Sequence, residues 1–350
     1  MGRDEMDKTR AILYAFLAAV FYAINVPASK LMLSTVGPAT MAALLYLGAG
    51  LGIGALSLLN RRDRAESEHL AKEDLPYVVG MIVLDIAAPI LMMIGISIGS
   101  SANASLLGNF EIVATTVMAL LIFKEAVTRR LWAAIALITL SSVLLSFEGT
   151  DSLRFSYGSL FVLAATVCWG FENNCTRSIS SKSTYEIVVL KGVFSGLGSL
   201  IIALIKGEAM PGLILTALAL LLGFVAYGFS IFLYVRAQNV LGAATTSAYY
   251  AVAPFVGAFL SFVLLKEQLS GTYLVALAVM VAGSALVVAD TLCRHHAHEH
   301  QHTFTHTHDG STHSHTVTHA HDHNHYVTDD RHGHVHSLKD LECLPGATHA

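Results

Sequence analysis

A chain of 350 residues in which 54% are hydrophobic and only 13% charged has too little charge to cover the surface of an ordinary soluble domain. The formal net charge of -4 is spread over short loops and points to no nucleic-acid partner. The chain therefore reads as a membrane protein whose first partner is the lipid bilayer.

In chain order, the polar leader MGRDEMDKTR (residues 1–10) precedes an apolar run that lacks a small-residue cleavage site, so the run is expected to stay as an uncleaved first helix. Ten apolar runs follow one another at about 11–33, 38–59, 76–98, 103–123, 131–147, 158–179, 184–206, 212–236, 242–265 and 271–290. Each has the length that a helix needs to cross roughly 30 Å of hydrocarbon. The fold class expected is an all-α membrane protein of ten transmembrane helices in two inverted five-helix repeats, 11–147 and 158–290, with a linker at 148–157 and a disordered tail at 291–350. Cys168 and Cys175 share one helix, and Cys293 and Cys343 flank the tail, a distribution that favours free thiols.

Numbered from an inside N-terminus, the inner breaks hold 13 Lys and Arg residues, among them Arg61, Arg62, Lys72, Arg129, Arg130 and Lys182; the outer breaks hold Lys30, Arg154, Lys206 and Lys266. This asymmetry places both termini in the cytoplasm, with a bacterial plasma (inner) membrane as the expected location.

The two halves repeat each other. FYAINVPASK (21–30) aligns with CWGFENNCTR (168–177), and residues 100–145 align with 241–288 so that Lys124-Glu125 falls on Lys266-Glu267. On these features the chain resembles the drug/metabolite transporter superfamily, EamA type, over roughly residues 10–290. The resemblance implies a secondary carrier that moves amino acids, other metabolites or toxic organic compounds by alternating access, often outward. Relatives often carry an arginine in the second helix where this chain has Tyr46, so the resemblance does not imply an anionic substrate here.

Ionisable residues inside apolar runs cost several kcal/mol unless they are paired or face water. Asp85, Glu111, Glu172 and Lys191 are such residues and head the candidates for the transport path. Asp85 and Glu111, in the hairpin of the third and fourth runs, are expected at comparable depth, holding a proton and a cationic group in alternation or serving as a neutral acid between helices. Glu172 and Lys191 are expected to pair, as a structural or a substrate-gated bridge. Amides at Asn25, Asn109, Asn173 and Asn174 and aromatics at Tyr22, Trp169, Tyr227, Tyr249 and Tyr250 complete the set, with Tyr250 favoured because Pro254 follows it. The glycines at 48, 50, 52, 54, 192 and 196 read first as packing, and the fifth and tenth runs as lipid-facing.

The stretch from His295 to His325 carries 13 histidines in 31 residues. HxH groups at His298, His300 and His302, at His313 and His315, and at His319, His321, His323 and His325 offer neutral nitrogen ligands, so zinc, nickel or cobalt is expected on the tail, in several modest sites. The helices need no cofactor, and before residue 295 the single histidine is His69. Two readings stay open: a carrier of a small organic solute with a cytosolic metal-binding tail, and a membrane-tethered divalent-metal sensor or direct metal-ion transporter. An enzyme is not expected, since GxSxG, HExxH and glycine-rich nucleotide loops are missing; a homodimer is compatible with the pattern.

Overall fold

The computed structural model describes residues 3–59, 68–123, 128–148, 154–179, 182–241, 246, 249–267, 270–308 and 311–326, with backbone alone over 291–326. It divides into a body, residues 1–291, and a second unit, residues 292–350. Helices of the body follow the ten apolar runs: α1 (Arg3–Ala23) with α2 (Asn25–Met32), α3 (Pro38–Leu59), α4 (Leu75–Ile98), α5 (Ser101–Leu107) with α6 (Phe110–Phe123), and α7 (Arg129–Leu145) form the first five. The second five are α8 (Tyr157–Ser178), α9 (Thr184–Ile205), α10 (Leu213–Gly223) running on into α11 (Ser230–Leu241), α12 (Ala253–Leu265) and α13 (Gly271–Leu292). Among the described residues six helical stretches are individually long and apolar enough to span a membrane; the others are interrupted, shorter or more polar.

Three interruptions have local causes. Turns at Ile24 and at Ala251–Val252 precede Pro27 and Pro254, whose rings clash with carbonyls a turn upstream. The third, Gly108–Asn109, splits the fourth span at a residue pair of low helix propensity. Pro89, by contrast, stays inside an unbroken α4. The backbone between α10 and α11 widens into a π-helical segment, Phe224–Phe229.

Close backbone approach explains the glycines. A Cβ on Gly192 would sit 2.4 Å from the Gly50 nitrogen, and one on Gly48 would sit 2.1 Å from the Leu220 carbonyl oxygen. The packing role expected for them is what the helices use, with Gly54 the exception, since its nearest neighbour is Val189 at 3.9 Å. On the outside, α7 and α13 expose Leu140, Val143, Val275 and Val281 while joining each other through Ser141 Oγ donating to the Ala276 carbonyl at 2.6 Å. This matches a lipid-facing position for the fifth and tenth spans.

Helix ends within the body are closed by distant side chains, as unsatisfied terminal groups in an apolar medium require. Lys30 donates to the carbonyls of Ile96 at 2.6 Å and Gly99 at 2.8 Å, closing α4. Glu208 accepts from the backbone of Ala39 and Thr40 at the start of α3. Glu267 accepts from the backbone of Ser101 and Ala102 at the start of α5, with Ser100 Oγ at 2.7 Å. Of the second Lys-Glu pair, Glu267 thus anchors the start of a helix; Lys124-Glu125 lies outside the described residues. At the opposite end, His69 Nδ1 is 2.6 Å from Glu186, and Lys182 pairs with Glu68, whose hydrogen bond raises the lysine's pKa.

Two short strands, β1 (Phe147–Glu148) and β2 (Arg154–Phe155), pair across the segment read as a linker. The tail departs further from expectation. Instead of lacking regular structure throughout, it forms an antiparallel ladder of β3 (Cys293–His308) and β4 (Ser311–Tyr326). Histidine at most alternate positions, with β-branched threonine at several of the positions between, gives these segments the two-residue period of a strand. Residues 327–350 lie outside the described set.

The glycine seam yields a prediction of opposite signs. Gly192→Ala should lower the thermal midpoint of the detergent-solubilised protein, overpacking costing about 1–3 kcal/mol. Gly54→Ala should leave it unchanged or raise it, because alanine is the better helix former by roughly 1 kcal/mol. Equal behaviour of the two variants would contradict the α3–α9 contact.

Candidate functional site

The charges inside the apolar runs converge. Lys191 on α9 places its Nζ 3.1 Å from Asp85 Oδ2 on α4 and 2.9 Å from Glu172 Oε1 on α8. Asp85 is wholly buried and Glu172 nearly so. The Tyr46 hydroxyl of α3 donates to Asp85 Oδ1 at 2.9 Å and lies 3.4 Å from the indole Nε1 of Trp169. Thr176, one turn beyond Glu172, donates to that carboxylate. Carboxylates of α4 and α8 thus meet on the ammonium of α9, and α3 joins them through Asp85.

The expected Glu172–Lys191 pair is present, with Asp85 as its third member. Asp85 and Glu111, expected at comparable depth, belong to different hydrogen-bond sets. Glu111, at the start of α6, accepts from Asn173 Nδ2 at 2.6 Å, and the same amide reaches Thr115 Oγ1 at 3.2 Å. Among the described residues Glu111 has no cation within ion-pair distance. Neighbouring Asn174 bonds the carbonyls of Gly170 and Thr115, an interhelical packing role.

A third set follows the break in the first span. Asn25 opens α2, is buried, and donates from Nδ2 to the Tyr227 hydroxyl at 3.0 Å, while Ser29 Oγ donates to Asn25 Oδ1 at 3.1 Å. Tyr227 sits in the π-helical segment, where the extra residue per turn alters which side chains face the interior. Around it the rings of Tyr22, Tyr46 and Tyr250 form a chain of contacts, with centroids 5.8 Å between Tyr22 and Tyr227, 5.4 Å between Tyr46 and Tyr227 and 5.9 Å between Tyr22 and Tyr250.

These sets surround a cavity of about 720 Å³. Its polar wall holds Lys191, Glu172, Glu111, Asn173 and Asn109, and its aromatic wall holds Trp169 and the tyrosines at 22, 46, 227, 234 and 250. Asp85 does not line it but stands behind Tyr46 and Lys191, which do. Asn25 likewise acts through Tyr227, and Tyr249 is not part of the wall. Asn109 Nδ2 and Ser105 Oγ, a turn apart at the break in the fourth span, are buried and have no hydrogen-bond partner among the described residues. Ser105 and Thr115, which also line the cavity, do not stand out in the sequence, because hydroxyls in membrane helices usually bond their own backbone.

No three His, Cys, Asp or Glu side chains among the described residues converge as a metal site. Cys168 and Cys175 are free thiols.

The sequence model of the EamA-like transporter family matches this chain at residues 9–147 and again at 156–289. An uncharacterized transporter of Methanothermobacter thermautotrophicus (strain Delta H) is 28% identical over 272 residues, covering 72% of this chain and 78% of that protein. A solved crystal structure superposes with a TM-score of 0.59 at 18% identity, over 80% of this chain and 96% of the other, which is a likeness of fold. With one family match on each half of a duplicated helical body, the chain belongs to the EamA-like transporter family.

Proposed function

We propose that this membrane transporter is a secondary carrier for a small organic solute, exporting it from the cytosol by alternating access. The observation that carries the reading is the cavity walled from both repeats, with Glu111, Glu172 and the Lys191 ammonium in its wall and the buried Asp85 behind it. Its volume falls within the roughly 300–1,000 Å³ of small-molecule sites.

Charge balance supports a substrate class. Lys191 is already shared by Asp85 and Glu172, so a further carboxylate from the solute would have to compete with both. Glu111 is held by an amide and meets no protein cation among the described residues, which suits an amine or a proton. The tyrosine faces offer apolar contact and cation–π attraction to the same amine. An amine-bearing solute with an apolar part, in exchange with protons, is the chemistry favoured. The solute's passage would exchange partners at Glu111 and Lys191, so occupancy and the state of the ion cluster are linked. The positive-inside bias supports a cytoplasmic N-terminus and tail, in a plasma membrane.

Uptake of amine-bearing and purely anionic solutes into inside-out vesicles tests the class. Glu111→Gln should retain the parent's thermal midpoint but lose most amine flux or its pH dependence. Parent-like flux and pH dependence would remove Glu111 from the path, and a preference for anionic solutes would overturn the class.

The ion cluster gives a separate prediction. Lys191→Met strands two buried carboxylates and should destabilise the protein by about 3–5 kcal/mol. Neutralising all three groups (Asp85→Asn, Glu172→Gln, Lys191→Met) should restore the thermal midpoint without restoring flux. Flux in the triple variant would make the cluster purely structural.

Orientation is testable by impermeant thiol labelling of single cysteines placed at residues 130 and 154. In intact cells residue 154 alone should be modified; labelling at 130 would reverse the topology.

A further inference from the structure

The tail's histidines are unevenly spaced along the chain, which suggests scattered, weak sites. Strand pairing changes their relation. In the β3–β4 register, His296 lies opposite His323, His298 opposite His321 and His300 opposite His319, so three successive same-face rungs are histidine on both strands. A fourth such rung, His306 with His313, lies near the strand connection. By the alternation of the strands, every histidine of β3 and β4 except His295 falls on one face of the ladder. The opposite face carries Thr303 across from Thr316 and Thr307 across from Thr312, cross-strand pairs that favour this register.

Geometry turns the register into a ligand set. Opposite residues of an antiparallel pair have Cβ atoms about 4.5–5.5 Å apart, and same-face neighbours along a strand are about 7 Å apart. Two adjacent histidine rungs therefore bring four histidines to neighbouring register positions on one face, the number of ligands that a tetrahedral zinc ion takes. Imidazole nitrogen also suits nickel, cobalt and copper, whereas magnesium and calcium prefer oxygen. A lone two-stranded hairpin is marginal in water; a metal clamped between its strands supplies the missing stabilisation, because binding energy at a site that exists only when folded is folding energy.

We propose that the hairpin is a zinc-type metal site whose ligands come from the cross-strand rungs His298–His321 and His300–His319, extended by His296–His323, rather than from HxH runs within one strand. Metal and strand pairing are then one equilibrium: the ion orders the ladder, and the ladder defines the site.

The experiment uses the full chain in detergent with zinc as the probe and no solute, so its result does not depend on the transport reading. One variant replaces His298, His300, His319 and His321 with alanine. A control replaces His295, His332, His334 and His336, removing equally many imidazoles, none of them a member of a histidine-histidine rung. Equilibrium dialysis with metal analysis should show that the first variant loses at least one zinc ion per chain, or binds zinc more than about tenfold more weakly (roughly 1.4 kcal/mol,), while the control keeps the parent's binding. Zinc should also slow proteolysis within residues 293–326 of the parent and the control but not of the first variant. Equal loss of zinc in both variants, no loss in the first, or zinc binding by the parent without protease protection would overturn the ladder.

Discussion

Lys191 brings a full positive charge into an apolar helical body, and much of the surrounding arrangement follows from that one burial. An isolated ammonium there would be expensive to desolvate; two carboxylates within about 3 Å on α4 and α8 offset the cost. Those carboxylates make demands in turn. Asp85 is met by the Tyr46 hydroxyl, which leans on Trp169, and Glu172 by Thr176. The polar wall of the cavity is thus continuous with the ties that hold α3, α4, α8 and α9 together. A site built in this way cannot change its charge without changing the packing, which is a natural basis for coupling solute binding to conformation.

What could be read beforehand depended on the range of the interaction. Glu172 and Lys191 were legible as partners because they interrupt apolar runs on consecutive helices at similar depth. Asp85 was legible as a buried charge, but its partner was not, since nothing local indicates that α4 and α9 pack face to face. The missing arginine in the second span was visible at Tyr46, yet only three dimensions show that residue bonded to Asp85. Proline alone does not decide where a helix breaks: turns precede Pro27 and Pro254, whereas α4 continues through Pro89. The π-helical segment around Tyr227 leaves no periodic trace in six residues. Ten spans and a duplication, by contrast, rest on long repeated patterns, the most robust signal a sequence offers.

The tail shows a different kind of shortfall. Its low apolar content argued for disorder, and by core-forming criteria the argument stands. A two-residue period was nonetheless present in the histidines, and Asp-Gly, a favoured hairpin dipeptide, lies between the alternating halves. Composition and periodicity pointed to different answers.

The helix caps and glycine seams bear on which parts can move. Glu208 and Glu267 belong to the second repeat but close α3 and α5 of the first. Gly50 interlocks with Gly192, Gly95 with Gly158, and Ser101 bonds Ser261 at 2.8 Å, each contact again joining the two repeats. A swing of one whole repeat against the other would have to tear all of these seams together. Bundles that each take helices from both halves could shift while leaving them shut. The duplicated segment of the gene and the mechanical part of the machine are therefore different objects.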